Sequence, residues 1–138
     1  MEAAPAALSP FTLNDASGRA YTFPSESPTL LCFVKEDCPT CNTVVPLLEQ
    51  INEASGDALT VLAAGQTTEG NAVLQQRHAM AVPLLDDSSL KVSFTYVIDI
   101  VPTIILADSS GRELRRLEGF AKSEWQSLVN DLAPLDPG

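Results

Sequence analysis

Apolar positions along the chain fall into short continuous runs and into three- and four-residue spacings, and the two patterns alternate. "TLLCFV" (29–34), "ALTVLAAG" (58–65) and "VPTIILAD" (101–108) are near-continuous apolar runs of strand length. Such runs suit strands buried on both faces of a sheet. "VPLLDD" (82–87) reads as a shorter strand. "FTLNDASGRAYTF" holds two short β-type runs around Asn14, Asp15, Ser17 and Gly18, which predicts a hairpin. "RELRRLEGF" (112–120) follows the turn "SSG" (109–111) and pairs back antiparallel.

Helical spacing fills the gaps. From Thr40 to about Ala54, Val44, Val45, Leu47, Leu48 and Ile51 recur on one face. Pro46 inside this stretch predicts a kink or a division, and Gly56 a stop. "TTEGNAVLQQRHAM" (67–80) predicts a helix with a Thr cap and an early Glu. "SSLKVSFTY" (88–96) predicts a short helix capped by Ser, and "KSEWQSLVNDL" (122–132) an amphipathic last helix, with Pro134 and Pro137 ending the ordered chain. The order is hairpin, βαβαβα, then ββα. This predicts an α/β fold, a central mixed sheet flanked by helices on both faces with an N-terminal hairpin. Residues 1–10 read as an Ala/Pro-rich flexible lead or linker, 11–134 as one domain and 135–138 as a tail.

The 138 residues suit a single core, and the apolar share of 45% is enough to build one without disulfide staples. A net charge of −10 argues against nucleic acid, whose phosphates need clustered Lys and Arg, and against anionic membrane surfaces. No run of 18 apolar residues appears, so no membrane insertion by this chain is expected. "MEAAPAALSP" lacks the basic and apolar regions of a signal peptide. The chain is expected to be a monomer.

The chemistry sits in "KEDCPTCNTV" (35–44). A Cys-x-x-Cys pair serves either zinc or thiol–disulfide exchange. Zinc needs two more ligands, and neither Cys32 nor His78 has a partner at ligand spacing. Thiol exchange fits the context, because the pair lies where a buried strand ends and a helix begins. There Cys38 meets the unsatisfied N–H groups and the positive dipole end of the helix, which favour a thiolate. Pro39 suits the first helical position. Cys38 is then the exposed nucleophile and Cys41 the sheltered resolving thiol, and a bridge closing so small a loop has little stabilising value. No cofactor or metal is called for. His78 is placed on the second helix away from the redox loop, Trp125 in the core, and Glu113 to Arg116 on a solvated strand edge.

With the second half of the pattern, "VPTIILADSSGRELRRLEGF" (101–120), the chain resembles the thioredoxin superfamily over about residues 11 to 133. The N-terminal hairpin and the added segment around residues 66–95 look like its TlpA/ResA-like group. The resemblance implies a thioredoxin-like fold and a thiol–disulfide oxidoreductase, reductase rather than oxidase, using Cys38 and Cys41. It implies a cis Val101–Pro102 bond against the disulfide, whose backbone binds the substrate's extended chain. The partners would be a protein disulfide and a thiol electron donor still to be identified. The resemblance favours an exported or membrane-tethered periplasmic domain, and a cytoplasmic place stays open because no signal or anchor is visible. Two further classes compete. A peroxiredoxin would carry Thr where Lys35 stands and a Pro further upstream. The other class is a binding module, either a thioredoxin-fold copper carrier, which would use a wider cysteine spacing and a distant His, or an adaptor whose bridge is only structural.

Three positions depart from the family. Asp37, preceded by Glu36, replaces the usual Trp before the pair. The two carboxylates oppose the helix dipole and moderate the thiolate, or they reject acidic partners. Cys32 stands where a buried acid is common, and reads as a small buried hydrophobe or a third redox thiol.

Overall fold

The structure is a computed structural model and describes residues 7–132. Pro134, Pro137 and the tail 135–138 lie outside the described residues, as do the first six residues of the lead. The elements are β1 (Phe11–Asn14), β2 (Ala20–Phe23), β3 (Thr29–Val34), α1 (Pro39–Ser55), a 3-10 turn (Gly56–Ala58), β4 (Thr60–Gly65), α2 (Thr68–His78), β5 (Leu84–Asp86), α3 (Lys91–Thr95), β6 (Thr103–Ala107), β7 (Glu113–Glu118) and α4 (Lys122–Leu132).

Five strands form one mixed sheet in the order β5-β4-β3-β6-β7, and β1 and β2 form the separate hairpin. β3 is central. It runs parallel to β4 and antiparallel to β6, with Cys32 between Ala63 and Ile104. Every residue of β3 is buried, which is why its apolar run is continuous. Leu30, Cys32 and Val34 join the core shared with Val44, Val45 and Leu48 of α1, Leu74 of α2, and Trp125 and Leu128 of α4. Leu31 and Phe33 join the second core, with Val92 and Tyr96 around α3 and with Phe11 and Leu13 of the hairpin. One face is therefore helical, and the other is closed jointly by a five-residue helix and the hairpin.

Several ends fall short of the apolar runs, for local reasons. β5 and β6 begin after Pro83 and Pro102, which have no N–H for the ladder, while the carbonyls of both accept, from Ala63 and Gly119. β7 stops at Gly119, whose φ of +77° ends the extended run. α1 passes Pro46 undivided. Part of the expected lead is attached to the body: Ala7 bridges to Arg112, Leu8 N–H donates to the Gly111 carbonyl and the Tyr96 hydroxyl donates to the Ser9 carbonyl.

The Ser cap expected for α3 is replaced. Leu90 occupies the cap position at φ +61° with no capping side chain. Asp87, 1% exposed, does the work: its carboxylate accepts from Val92 N–H (3.2 Å), Ser93 N–H (2.9 Å) and the Ser93 hydroxyl (2.6 Å). The solvated edge expected at 113–116 also needs correction. The β6–β7 register skips Leu114, a bulge that brings Glu113 and Arg116 to one side, 2.7 Å apart and mostly covered. Arg116 also donates to the Tyr96 carbonyl at 2.8 Å.

Removing the Asp87 carboxylate leaves buried donors without partners. We expect Asp87→Ala to cost about 2–4 kcal/mol, and Asp87→Asn less, in urea unfolding. A loss under about 0.5 kcal/mol for Asp87→Ala would show that the α3 turn holds without its cap.

Candidate active site

The site forms where β3 hands the chain to α1. Residues 35–38 make the turn, and Cys38 takes the N-cap position of α1 with extended backbone angles (φ −97°, ψ 112°). Pro39 follows at the first helical position, as its fixed φ allows. The N-cap function falls to sulfur, since Cys38 Sγ accepts the Cys41 N–H at 3.2 Å. An amide aimed at sulfur from the positive end of a helix is the contact a thiolate accepts best.

The two thiols differ by burial. Cys38 is partly exposed, whereas Cys41 is buried on the core side of the first turn. Burial first, then the hydrogen bond with Cys38, push the Cys41 thiol up to about 12, and a backbone hydrogen bond from Lys35 works the other way. Cys32 lies deeper, 0% exposed, and burial lifts its thiol well above the ordinary range, with Cys41 and Cys38 adding to the effect. It packs as a small hydrophobe within the same core as Val44 and Ile104.

The loop before β6 supplies the opposite wall. The Val101–Pro102 bond is cis, Pro102 is buried, and the Val101 carbonyl lies 3.7 Å from Cys38 Sγ, in reach of the thiol proton. Two contacts hold this loop: the buried Thr103 hydroxyl donates to the Ile100 carbonyl (2.7 Å), and Gly119 N–H to the Pro102 carbonyl (2.8 Å). Phe23–Pro24 is a second cis bond, with no signal in the sequence reading. The structure thus brings Cys38, Cys41, Val101 and Pro102 together.

The acids before the pair separate. Asp37 is exposed and pairs with Lys35 at 3.6 Å. Glu36 turns toward α2, its carboxylate so close to Gly70 that a Cβ there would stand 2.1 Å from a carboxylate oxygen. Around Cys38 and the 101–102 loop, exposed Asp37, Asp99 and Glu118 follow the chain beside Cys38, Ile100 and Gly119, and Ile100 and Phe120 are partly exposed apolar neighbours. His78 is not remote, contrary to the sequence expectation. Its Nε2 lies 2.7 Å from Asn42 Oδ1, one residue past Cys41. The distance in sequence hid this contact, because it depends on how α2 packs beside α1.

No protein-family model matches the chain, and no curated protein matches its sequence. Solved structures do. A Chlorobium tepidum chain assigned as the thiol:disulfide interchange protein DsbE aligns at TM-score 0.85 and 18% identity, over 95% of this chain and 96% of its own. StoA from Bacillus subtilis aligns at 0.76 and 20%, over 91% and 99%. A secreted Mycobacterium tuberculosis disulfide oxidoreductase homologous to E. coli DsbE aligns at 0.74 and 19%, over 88% and 96%. At such identities the likeness shows the fold, which is thioredoxin-like.

The burial of Cys41 sets a pH dependence. In a mixed disulfide on Cys38 the Cys38 charge is gone, while burial, the larger cause, remains. A raised value keeps Cys41 protonated at neutral pH, so a step that needs its thiolate speeds up as pH rises. We expect the decay of a Cys38 mixed disulfide with thionitrobenzoate, followed by stopped flow, to quicken about tenfold per pH unit between about pH 7 and pH 9. A plateau inside that range would contradict the assignment. Mass mapping of the oxidised protein should find a Cys38–Cys41 bridge only, and a bridge to Cys32 would restore the third-thiol reading.

Proposed function

We propose that this thioredoxin-like chain is a thiol–disulfide oxidoreductase that reduces a protein disulfide through Cys38 and Cys41. The observation that carries it is the pairing of a partly exposed N-cap sulfur, 3.2 Å from an amide N–H, with a buried second thiol three residues on. Neither thiol has a packing or bridging task that explains both placements.

The steps balance as a two-electron exchange. Cys38 thiolate attacks one sulfur of the substrate disulfide, a new S–S bond forms to Cys38, and the other substrate sulfur leaves as a thiolate that takes up a proton. Cys41, after losing its proton, attacks Cys38 Sγ and expels the second substrate thiol. The substrate is then a dithiol and the chain holds a Cys38–Cys41 disulfide. A thiol donor from outside returns the two electrons. During the mixed disulfide the Val101 carbonyl, 3.7 Å from the attacking sulfur, and its neighbouring backbone stand beside the substrate's chain and supply a strand-like edge for it. The likeness to the chain assigned as thiol:disulfide interchange protein DsbE and to the secreted disulfide oxidoreductase supports this reading, and the resemblance favours an exported or membrane-tethered setting. No helix among the described residues is long and apolar enough to cross a membrane.

The test is catalysis of disulfide reduction by dithiothreitol. The wild-type chain should accelerate it, Cys38→Ser should return it to background, and Cys41→Ser should accumulate a mixed disulfide visible by mass. A reduction potential at or below about −200 mV fits the reductase direction, and a value near about −120 mV reverses it. No acceleration by the wild type with any peptide disulfide would end the proposal.

The exposed carboxylates Asp37, Asp99 and Glu118 add a charge preference. Of two matched peptide disulfides, the one with Lys beside its cysteines should be reduced about three- to tenfold faster than the one with Asp, a gap that closes in about 0.5 M salt. Equal rates at low salt would show that these acids have no part in selecting partners.

A further inference from the structure

Behind the redox turn, every polar valence of one side chain is used. Asn42 Nδ2 donates to the Glu36 carbonyl (3.1 Å) and the Cys38 carbonyl (3.0 Å). Its Oδ1 accepts from Arg77 Nη1 (2.8 Å) and faces His78 Nε2 (2.7 Å). Arg77 Nη1 donates a second time, to the Glu36 carbonyl (2.9 Å). Two carbonyls and a guanidinium leave the amide one orientation, so His78 carries its proton on Nε2. This knot ties the turn that holds Cys38 to the last turn of α2, and it lies outside the thiol chemistry described above.

A second observation says why α1 needs it. Pro46 has no N–H, so the Asn42 carbonyl loses its helical donor four residues on. The turn bearing the thiols is therefore short of one backbone bond, at the residue whose side chain makes the knot. The carbonyls it grips are those of Glu36, two residues before the attacking sulfur, and of Cys38 itself.

We infer that Asn42 is a positioning residue for the thiol pair, and that His78 acts only through it while Arg77 acts both through it and directly on the turn. By fixing the carbonyls on either side of Asp37, the knot keeps Cys38 Sγ aimed at the Cys41 amide. The inference rests on Cys38 being the reactive thiol. Its readout, alkylation of Cys38 by iodoacetamide, does not require any disulfide to be reduced, so the two can fail separately.

The experiment compares the rate of Cys38 alkylation across pH, located by mass, in the full chain and its variants. Asn42→Ala and Arg77→Ala each remove more than one hydrogen bond from the turn, and each should slow the reaction at pH 7 by at least about fivefold and shift its pH profile upward. Arg77 is exposed, so its variant keeps the inference testable should Asn42→Ala not fold. His78→Gln, which keeps a donor, should match wild type. His78→Ala should be slower by about twofold or more, with no further slowing in an Asn42→Ala background. Gln76→Ala, on the exposed side of the same helix, should change nothing. Asp87→Ala is a destabilised control whose side chain makes no contact with the turn. If it slows alkylation as much as Asn42→Ala does, or if Asn42→Ala and Arg77→Ala both stay within about twofold of wild type with an unchanged profile, the knot has no positioning role and the inference is overturned.

Discussion

The structure turns on one contact, the Cys41 amide N–H on Cys38 Sγ at 3.2 Å. It exists only because α1 starts where it does. A helix leaves its first N–H groups without internal partners, and an N-cap side chain ordinarily supplies an oxygen to one of them. Here the acceptor is sulfur, so the same bond begins the helix and fixes the Cys38 sulfur. Everything upstream serves that placement. β3 is buried along its whole length, with β4 and β6 on its two sides, and so delivers residue 34 to a fixed point in the molecule. Four residues of turn then bring Cys38 to the helix end.

The second consequence is asymmetry. A helical turn places residues three apart on neighbouring positions, and the apolar face of α1 begins at Cys41 and continues through Val44, Val45 and Leu48. Cys41 therefore goes into the core by the same periodicity that packs the helix, and Cys38 stays at the rim. Burial raises the pKa of the inner thiol and keeps it protonated, while the outer sulfur caps the helix. Two identical side chains acquire different environments from position alone.

The legible part of the sequence was the part governed by periodicity. The strands, the helix faces, the Thr67 cap, whose hydroxyl accepts Gly70 N–H at 2.9 Å, and the placement of the thiols follow from local pattern. What pattern does not carry is tertiary choice. Asp87, just before the expected Ser stretch, caps α3 because its buried carboxylate meets the Val92 and Ser93 N–H groups. Arg116 reads as a surface charge until the bulge at Leu114 turns it toward the Tyr96 carbonyl. His78 is 36 residues from Asn42, and only the packing of α2 beside α1 brings them together. In each case a polar side chain meets its partner, a backbone group for Asp87 and Arg116 and the Asn42 side chain for His78, only through tertiary packing, and such partners are invisible before the fold is known.

The acids beside the thiols, odd in the sequence, lose much of their oddity in three dimensions. Charge next to a thiolate matters by distance and screening, and Asp37 is exposed and paired with Lys35, where solvent weakens its reach. Glu36 faces the first turn of α2, an N-terminal end that favours a carboxylate. Its carbonyl meanwhile accepts the Arg77 guanidinium, a full positive charge placed behind the redox turn. The backbone that carries two negative side chains is therefore itself held by a cation. The acidic side chains of the loop face solvent and α2, while the sulfur within it accepts the Cys41 amide.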